Sequence, residues 1–468
     1  MKSKMSFKHF RILFLAITFP ILSNSFAQSL SDFEAHSNTL AGVTMPWRLF
    51  KVANPVAGTK YPIAIFLHGS GERGTDNTSQ ITGQPAGPFC FARPNAQAVF
   101  PCYVIVPQMN STWESASSQN LILSIIDSVK AHYSIDTTRI HLTGNSMGGM
   151  GTYYASQTQY DVYASFQPVC GTNGQLSQAA QLAVKPFWAW HGLSDGVVSI
   201  ANDRQMIDTI RAAGGHPNFT AYRGVDHFSW NYAYVDSDIV FWTKSKHLGW
   251  VWPLNNDSVY HIVNVGSGKC LAQSGADSTV VLAAVLSSEP RQQWVLKNAG
   301  KGYYQLQNKS SGKVLQVPAS TTKPMADNTA ASVGTGTADN QLWLCWDIGD
   351  RYKMVPKLCY SRDSIYNAIG IMGGSTMEGA KAIVTNYCGT DAMRWTMESI
   401  NAAAVTASAP LRSPLYASSK CRTMVFLGSA RTLASGNFAV YNVFGRKVSN
   451  RAGLKDMRNQ GVYILKVR

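Results

Sequence analysis

The chain has 468 residues, 45% of them hydrophobic, and a formal net charge of +15 at pH 7. The positive charge is concentrated at the ends: residues 1–27 carry four Lys and Arg and no acid, and residues 411–468 carry eleven Lys and Arg and one acid. Residues 28–410 hold 26 basic and 25 acidic side chains. This distribution argues against nucleic-acid binding by a folded basic patch, and the length predicts two or three domains.

The first 27 residues have the pattern of a secretory signal peptide. Basic residues precede an apolar run from Ile12 to Leu22, and Ser25 and Ala27 occupy positions −3 and −1 of the predicted cleavage site. The run is too short to cross a bilayer, and no later stretch is long enough. We therefore expect an exported protein without an integral membrane span.

Residues 28–250 alternate strand-like and helix-like segments. The predicted strands are Met45–Val52, Tyr61–Leu67, Tyr103–Val106, Arg139–Thr143, Ala164–Pro168, Pro186–His191 and Phe219–Tyr222. The predicted helices are a segment around Leu121–Val129, then Met147–Ser156, Ile200–Ala213 and Asn231–Lys246. This alternation predicts a mostly parallel α/β sheet, with functional loops at the carboxyl ends of its strands.

The run Gly144-Asn-Ser-Met-Gly148 lies at a predicted strand-to-helix junction. A turn this tight forces the serine into a strained backbone conformation, and only glycine fits two residues to either side. Ser146 is therefore the candidate nucleophile for attack on an ester or amide carbonyl.

Two loops further along the chain supply partners for this serine. His227 follows the last predicted strand and is the candidate general base, and Asp195 follows the preceding strand and is the candidate orienting acid. The backbone N–H groups of Met147 and Ser70 are the predicted oxyanion hole. The arrangement needs no cofactor or metal.

Other titratable residues of this segment are predicted to have structural roles. His191 is predicted to stabilise a turn, and His68 is predicted to be structural in its loop. His216 and His247 are predicted to lie at the surface, and Asp203 on the surface of a helix. Glu72 and Arg73 are predicted to form a salt bridge that braces their loop. Among the tryptophans, Trp230 is close enough to the His227 loop to line a site, whereas core packing is predicted for Trp113, Trp188 and Trp190.

After Pro253, short β-like runs replace the helical periodicity, and an internal repeat is visible. Ser267-Gly-Lys-Cys-Leu271 recurs as Ser311-Gly-Lys-Val-Leu315, and a weaker third copy is predicted around Lys357-Leu-Cys359. Each copy ends in a tryptophan (Trp294, Trp343 and Trp395). Three β units of this size predict a trefoil.

The remaining sequence divides into a linker and a small β segment. Residues 399–420 are rich in Ala, Ser and Pro and read as a linker. Residues 421–468 form a basic tail with β-hairpin patterns at Asn437–Val443 and Gly461–Val467. Eight cysteines in an exported chain permit disulfides, and the spacing makes Cys90–Cys102 and Cys359–Cys388 plausible without proving either pair.

The segment Tyr61–Gly74, the run Gly144–Gly149 and the Asp195 and His227 loops resemble an α/β-hydrolase over about residues 30–250. They are similar to the feruloyl and acetylxylan esterases of carbohydrate esterase family 1, which are related to prolyl-oligopeptidase-type hydrolases. The resemblance implies a Ser-His-Asp triad that hydrolyses carboxylic esters.

Residues 255–398 resemble a ricin-type β-trefoil lectin, a fold of carbohydrate-binding module family 13. The sequence departs from that family where Ala272 and Gln316 replace the sugar-binding aspartate. The second copy keeps an Asn-Gln pair before its tryptophan, so the resemblance implies a carbohydrate site formed by Gln316 and Asn340.

The tail segments Asn442–Val448 and Gly461–Val467 resemble a type IX secretion sorting domain. This resemblance implies passage through type IX secretion machinery and a location outside the cell or on the surface of a Gram-negative bacterium. A plain basic terminal domain that adheres to acidic surfaces is the alternative.

These features predict a secreted, monomeric serine esterase that removes feruloyl or acetyl groups from acylated xylan in plant cell walls. The trefoil would hold it near insoluble polysaccharide. Two alternatives stay open, a prolyl-oligopeptidase-like serine peptidase and a non-catalytic carbohydrate-binding adhesin.

Overall fold

The computed structural model describes residues 28–172, 176–275, 277–319, 326–361 and 367–400, together with three strands near the carboxyl end. The predicted signal peptide and most of the predicted linker lie outside these residues. Within the described ranges, every helix is too short or too polar to serve as a membrane span.

Eight strands form the first sheet. They are β1 (Glu34–Leu40), β2 (Val43–Phe50), β3 (Tyr61–Leu67), β4 (Tyr103–Pro107), β5 (Ile135–Asn145), β6 (Ser165–Val169), β7 (Trp188–Gly192) and β8 (Asn218–Tyr222). Their order is β1-β2-β4-β3-β5-β6-β7-β8. The pairings β1–β2 and β2–β4 are antiparallel and the others are parallel, which confirms the predicted α/β-hydrolase class.

Among the described residues, six helices connect strands of this sheet, and two more follow β8. They are α1 (Ser79–Thr82), α2 (Ala86–Ala92), α3 (Pro94–Val99), α4 (Ala116–His132), α5 (Met147–Thr158), α6 (Ile200–Ala212), α7 (Trp230–Ala233) and α8 (Ser237–Lys244). The strands β3, β4 and β6–β8 are buried along their whole length, as expected for a sheet covered on both faces.

The single helix predicted over Asn231–Lys246 was wrong. The chain forms α7 and α8 instead, because Asp236 caps α8 by accepting a hydrogen bond from the N–H of Asp238 at 3.0 Å. An aspartate in the capping position begins a new helix rather than continuing the old one.

Thirteen strands of the described residues make up the second region. They are β9 (Val259–Asn264), β10 (Cys270–Gln273), β11 (Val280–Ala283), β12 (Gln293–Gly300), β13 (Tyr303–Asn308), β14 (Val314–Gln316), β15 (Thr329–Ala330), β16 (Ser332–Gly334), β17 (Trp343–Asp347), β18 (Tyr352–Pro356), β19 (Asn367–Ile371), β20 (Ala382–Asn386) and β21 (Trp395–Ser399). The pairings of β9, β21, β18, β17, β13 and β12 return to β9 and so close a barrel. This confirms the predicted trefoil.

The tryptophans that end the three repeats are fully buried and make the same kind of hydrogen bond. Each indole Nε1–H donates to a backbone oxygen: Trp294 to Leu271 at 2.8 Å, Trp343 to Leu315 at 2.8 Å, and Trp395 to Ile369 at 3.0 Å. The third copy therefore contains Ile369, on β19. The predicted third copy at Lys357-Leu-Cys359 was wrong, because those residues belong to the short helix α9 (Lys357–Ser361).

Near the carboxyl end, β22 (Phe438–Asn442), β23 (Lys447–Ser449) and β24 (Tyr463–Val467) form a three-stranded antiparallel sheet. β22 and β24 fall within the two segments predicted to be β-hairpin material.

Neither disulfide suggested by spacing is formed. Cys90 and Cys102 are buried thiols, and burial raises the pKa of Cys90 to about 12. The sulfur of Cys388 lies 3.6 Å from Met393 Sδ.

The trefoil packs directly against the hydrolase region, and one hydrophobic cluster includes side chains of both. Asn218 Nδ2, at the start of β8, donates to the backbone oxygen of Asp347 at 2.7 Å. His216 stacks on Trp252 with ring centroids 4.1 Å apart. These two contacts are at the amino end of β8, whereas the candidate site residues follow the carboxyl ends of the strands.

Two buried ion pairs cross this interface. Arg394 of the trefoil contacts Asp238 of α8, and Lys246 contacts Asp347. All four side chains are at most 5% exposed. Tyr387 also donates its hydroxyl to Asp238. Such pairs fix two surfaces in one register, because removing either partner leaves an uncompensated buried charge.

Replacing Arg394 by methionine is expected to lower the free energy of unfolding by about 3–5 kcal/mol, because Asp238 would keep its burial and lose its cation. Chemical denaturation of the full chain measures this loss. Arg291→Met is the matched control, since Arg291 pairs with Glu289 on the surface and its loss is expected to change stability little. Equal effects of the two substitutions would contradict the role of the buried pair.

Candidate active site

Ser146 occupies a strained turn between β5 and α5. Its φ of 53° and ψ of −117° lie outside the helical and extended regions, where a non-glycine residue is costly. A Cβ on Gly148 would lie 1.9 Å from the backbone oxygen of Leu67, and one on Gly144 would lie 2.4 Å from the oxygen of Gly148. Glycine is therefore required at both positions for the helix to approach β3.

The structure brings the three residues predicted for the triad into one hydrogen-bonded row. Ser146 Oγ lies 2.9 Å from His227 Nε2, and His227 Nδ1 lies 2.8 Å from Asp195 Oδ2. Since a carboxylate only accepts, Nδ1 carries the proton and Nε2 faces the serine as an acceptor. The Asp195 side chain is fully buried and that of His227 is 12% exposed.

Asp195 is held as a carboxylate by several donors. Its Oδ1 accepts hydrogen bonds from the N–H groups of Val197 at 2.8 Å and Val198 at 2.9 Å. Burial alone would raise the pKa of Asp195, but the Val198, His227 and Val197 donors outweigh it and leave this pKa below its usual value. Asp195 is therefore ionised at neutral pH.

The predicted oxyanion donors lie on segments that the structure packs together. A Cβ on Gly148 would lie 2.8 Å from the oxygen of His68, which places the start of α5 against the loop after β3. Met147 is the first residue of α5, where backbone N–H groups lack intrahelical acceptors. Ser70 begins a 3₁₀ turn, Ser70–Glu72, in the same loop.

His68 is structural, as its sequence context suggested. Its Nδ1 lies 2.6 Å from the oxygen of Gly69, and its Nε2 accepts from the N–H of Met109 at 3.0 Å. Burial lowers its pKa to about 4, so the ring is neutral. Trp113 donates to the His68 oxygen at 3.0 Å, which fixes the loop.

Two assignments made from sequence were wrong, those that placed Asp203 and His216 at the surface. Asp203 is not a helix-surface charge, because it is 1% exposed and its Oδ2 lies 2.7 Å from His191 Nδ1. His191 does brace the turn after β7, since its Nε2 lies 3.0 Å from the Val198 oxygen, and the same nitrogen lies 3.1 Å from Asp195 Oδ2. His216 stacks at the trefoil interface rather than facing solvent. Each error concerns a contact between different elements of the fold.

Two aromatic rings border the candidate base. The Trp230 ring meets the His227 ring edge-on with centroids 5.2 Å apart, and the Phe228 ring lies 5.1 Å from that of Trp230. Trp230 is buried and donates to Gln84 at 2.7 Å, whereas Phe228 is 51% exposed. Trp188 and Trp190 stack on each other in the core.

Cys170, after β6, is the nearest thiol to the row. One ligand atom each from Cys170, Asp195 and His227 lie within 4.8 Å of one another. Burial raises the pKa of Cys170, which disfavours the thiolate that a metal needs, and Asp195 and His227 already bind each other. These contacts fit a triad with a neighbouring thiol better than a metal site.

In the trefoil, both residues predicted to bind carbohydrate make contacts within their own repeat. Gln316 Oε1 accepts from Gln341 Nε2 at 2.8 Å, and Asn340 Nδ2 donates to the oxygen of Val317 at 2.7 Å. A cleft of about 130 Å³ opens instead at the first repeat, lined in part by Gln273 and Glu289.

Residues 247–334 and 290–359 match the protein family described as ricin-type beta-trefoil lectin domain-like. The closed barrel and the three buried tryptophans lie in the same region. This segment is a ricin-type β-trefoil lectin-like domain. The matched region begins at His247, directly after Lys246, which lies in the interface with the hydrolase region.

Two curated proteins are similar to parts of the chain. A bifunctional acetylxylan esterase/xylanase of Neocallimastix patriciarum is 38% identical over 91 residues, covering 19% of this chain and 13% of that protein. Poly(3-hydroxyalkanoate) depolymerase C of Paucimonas lemoignei is 27% identical over 168 residues, covering 26% of this chain and 38% of that protein. The chain therefore spans well under half the length of these relatives.

Among solved structures, a thermostable esterase is 33% identical with a TM-score of 0.45, and the match covers 47% of this chain and 64% of that one. A designed three-fold symmetric protein is 32% identical with a TM-score of 0.27, covering 30% of this chain and 97% of that one.

Proposed function

We propose that the protein is a secreted serine carboxylic-ester hydrolase that removes feruloyl or acetyl groups from plant cell-wall polysaccharide such as xylan. The observation that supports this proposal is the row Ser146–His227–Asp195, with hydrogen bonds of 2.9 and 2.8 Å on a strained turn. Such a row is the chemical requirement for acyl transfer to serine.

In the proposed mechanism, Ser146 Oγ attacks the ester carbonyl while His227 Nε2 accepts its proton. Asp195 stabilises the resulting imidazolium, and the N–H groups of Met147 and Ser70 donate to the oxyanion. His227 then protonates the leaving alkoxide, which leaves an acyl-serine. Water deprotonated by His227 hydrolyses this intermediate and releases the carboxylic acid. No cofactor or metal takes part in these steps.

The names of the two curated relatives support ester hydrolysis, because one is an acetylxylan esterase/xylanase and the other a polyhydroxyalkanoate depolymerase. Their substrates differ, so the acyl group is inferred from the site itself. An exposed Phe228 beside the His227–Trp230 pair offers a flat apolar surface. This surface fits an aromatic acyl group such as feruloyl.

The lectin-like domain supports a carbohydrate substrate. We propose that it binds xylan through Gln316 and Asn340, which lie on neighbouring elements of the second repeat. Polysaccharide bound there would keep the esterase near insoluble substrate and raise the local concentration of ester groups.

The proposal includes export of the protein from the cell. The basic leader with its apolar run and Ser25/Ala27 cleavage pattern supports secretion. The resemblance of the tail to a type IX sorting domain supports release to the medium or display on a Gram-negative cell surface.

Replacing Ser146 by alanine is expected to lower ester turnover by about 10⁴- to 10⁶-fold, because the nucleophile is lost. Hydrolysis of methyl ferulate, acetylated xylan and poly(3-hydroxybutyrate) by wild type and variant measures the loss and ranks the substrates. Ser156→Ala is the control, since Ser156 is buried in the same helix and its hydroxyl donates only to the oxygen of Tyr153.

Turnover that survives Ser146→Ala would contradict the triad. Wild-type hydrolysis of a proline p-nitroanilide without ester hydrolysis would favour the peptidase. Tight xylan binding without hydrolysis of any substrate would favour the adhesin.

Replacing Phe228 by alanine is expected to raise KM for methyl ferulate by about 3- to 10-fold, the range expected for loss of one aromatic contact. KM for an acetyl ester should stay within twofold, because acetyl is too small to cover the ring. Tyr160→Ala is the control for removing an exposed aromatic side chain. Equal effects on both esters would contradict an aryl-binding role.

Replacing Gln316 and Asn340 by alanine is expected to weaken xylan binding by about tenfold, because each change removes a hydrogen-bonding group. Affinity electrophoresis of the full chain in xylan gels measures the change. Gln273→Ala, at the cleft of the first repeat, is the control. Weaker binding in the control alone would place the carbohydrate site in the first repeat.

A further inference from the structure

The candidate acid Asp195 has a second imidazole partner. Its Oδ2, which accepts from His227 Nδ1, also lies 3.1 Å from His191 Nε2. The same His191 nitrogen lies 3.0 Å from the oxygen of Val198. Both groups facing Nε2 are acceptors, so this nitrogen carries a proton. It donates that proton to the Val198 oxygen, and Asp195 Oδ2 lies beside the same N–H at 3.1 Å.

The other nitrogen of His191 extends the row into the core. Nδ1 lies 2.7 Å from Asp203 Oδ2, and Asp203 Oδ1 accepts from the hydroxyl of Tyr153 at 2.6 Å. His191, Asp203 and Tyr153 are each at most 1% exposed. A continuous row of close polar contacts therefore runs from Ser146 through His227, Asp195, His191 and Asp203 to Tyr153, and its His191–Asp195 step is the 3.1 Å contact beside the bond to Val198.

One proton lies in the bond between His191 and Asp203. An imidazolium beside a carboxylate and a neutral imidazole beside a carboxylic acid both leave the pair without net charge. Burial would lower the pKa of His191, but Asp203 reverses this and raises it, and burial raises the pKa of Asp203. In either form, Nε2 keeps its proton, bonds the Val198 oxygen and lies 3.1 Å from Asp195 Oδ2.

We propose that His191, held by Asp203 and Tyr153, is a positioning residue that orients Asp195 for His227. This inference rests on the proposed function. The His191 bond to the Val198 oxygen fixes the segment whose N–H groups hold Asp195 Oδ1. The polar Nε2–H beside Oδ2 also stabilises negative charge on the oxygen that His227 binds. Tyr153 lies on α5, the helix that begins after Ser146, so the row closes back onto the nucleophile's own helix.

The titratable groups around His191 are Asp195 on its own loop, Asp203 on α6 and Tyr153 on α5. His227, after β8, and Cys170, after β6, lie beyond Asp195. Loss of the His191 N–H beside Asp195 Oδ2 would leave this oxygen to bind the imidazolium of His227 more strongly. The acid limb of Ser146 reactivity should then move to higher pH.

The test measures the second-order rate of Ser146 labelling by a fluorophosphonate as a function of pH, using intact mass. This readout depends on the serine and its base, not on which ester is the substrate. His191→Phe, which keeps a ring and loses both nitrogens, is expected to lower the rate by ~10- to 100-fold and to move the acid limb up by about one pH unit. His191→Gln, which keeps an N–H for the Val198 oxygen and Asp195, should recover part of both changes.

If His191→Phe does not fold, a smaller substitution at the end of the row tests the same inference. Tyr153→Phe removes the last hydroxyl of the row and should slow labelling by ~2- to 10-fold. Tyr163→Phe is its matched control, because Tyr163 is fully buried and its hydroxyl makes no hydrogen bond in the described structure. His141→Phe is the matched control for loss of a buried imidazole.

Labelling of His191→Phe with the wild-type rate and pH profile would overturn the inference. The inference also fails if His141→Phe lowers the rate equally and the acid limb of His191→Phe does not move, since the role of His191 would then be structural. Wild-type protein that is not labelled, or Ser146→Ala that is labelled equally, would overturn the proposed function, and the inference with it.

Discussion

The site depends on one backbone constraint, the left-handed conformation of Ser146. At φ of 53° the chain reverses direction within a single residue, so β5 ends and α5 begins with the serine hydroxyl outside both. Gly148 then passes within contact of the Leu67 oxygen, where no side chain fits. This close approach also draws the loop after β3 towards the start of α5. The strained turn at Ser146 therefore determines the position of both the nucleophile and the candidate oxyanion donors.

Sequence patterns correctly predicted the features that depend on neighbouring residues in the chain. Tyr61–Leu67 was predicted with its true bounds, because a fully buried parallel strand is a continuous apolar run. The serine turn was visible through its glycines. The strand Glu34–Leu40 was missed, since its side chains are mostly exposed and lack a hydrophobic alternation.

Tertiary contacts explain the remaining errors. Asp203 reads as a surface charge on an amphipathic helix, and only the fold shows that it faces His191 and Tyr153 from different elements. The third trefoil copy was misplaced because Ile369 lacks the Ser-Gly-Lys signal of the first two copies. Its equivalence appears only through the oxygen that it offers to Trp395.

The interface between the hydrolase region and the lectin-like domain has a consequence for how such domains can be exchanged. A domain joined by a loose linker can be replaced by any other of similar size. Here a substitute would need a cation opposite Asp238 and an anion opposite Lys246, both out of contact with water. The two surfaces can therefore change in evolution only together, and a chimera with a foreign trefoil would have to be redesigned on both sides.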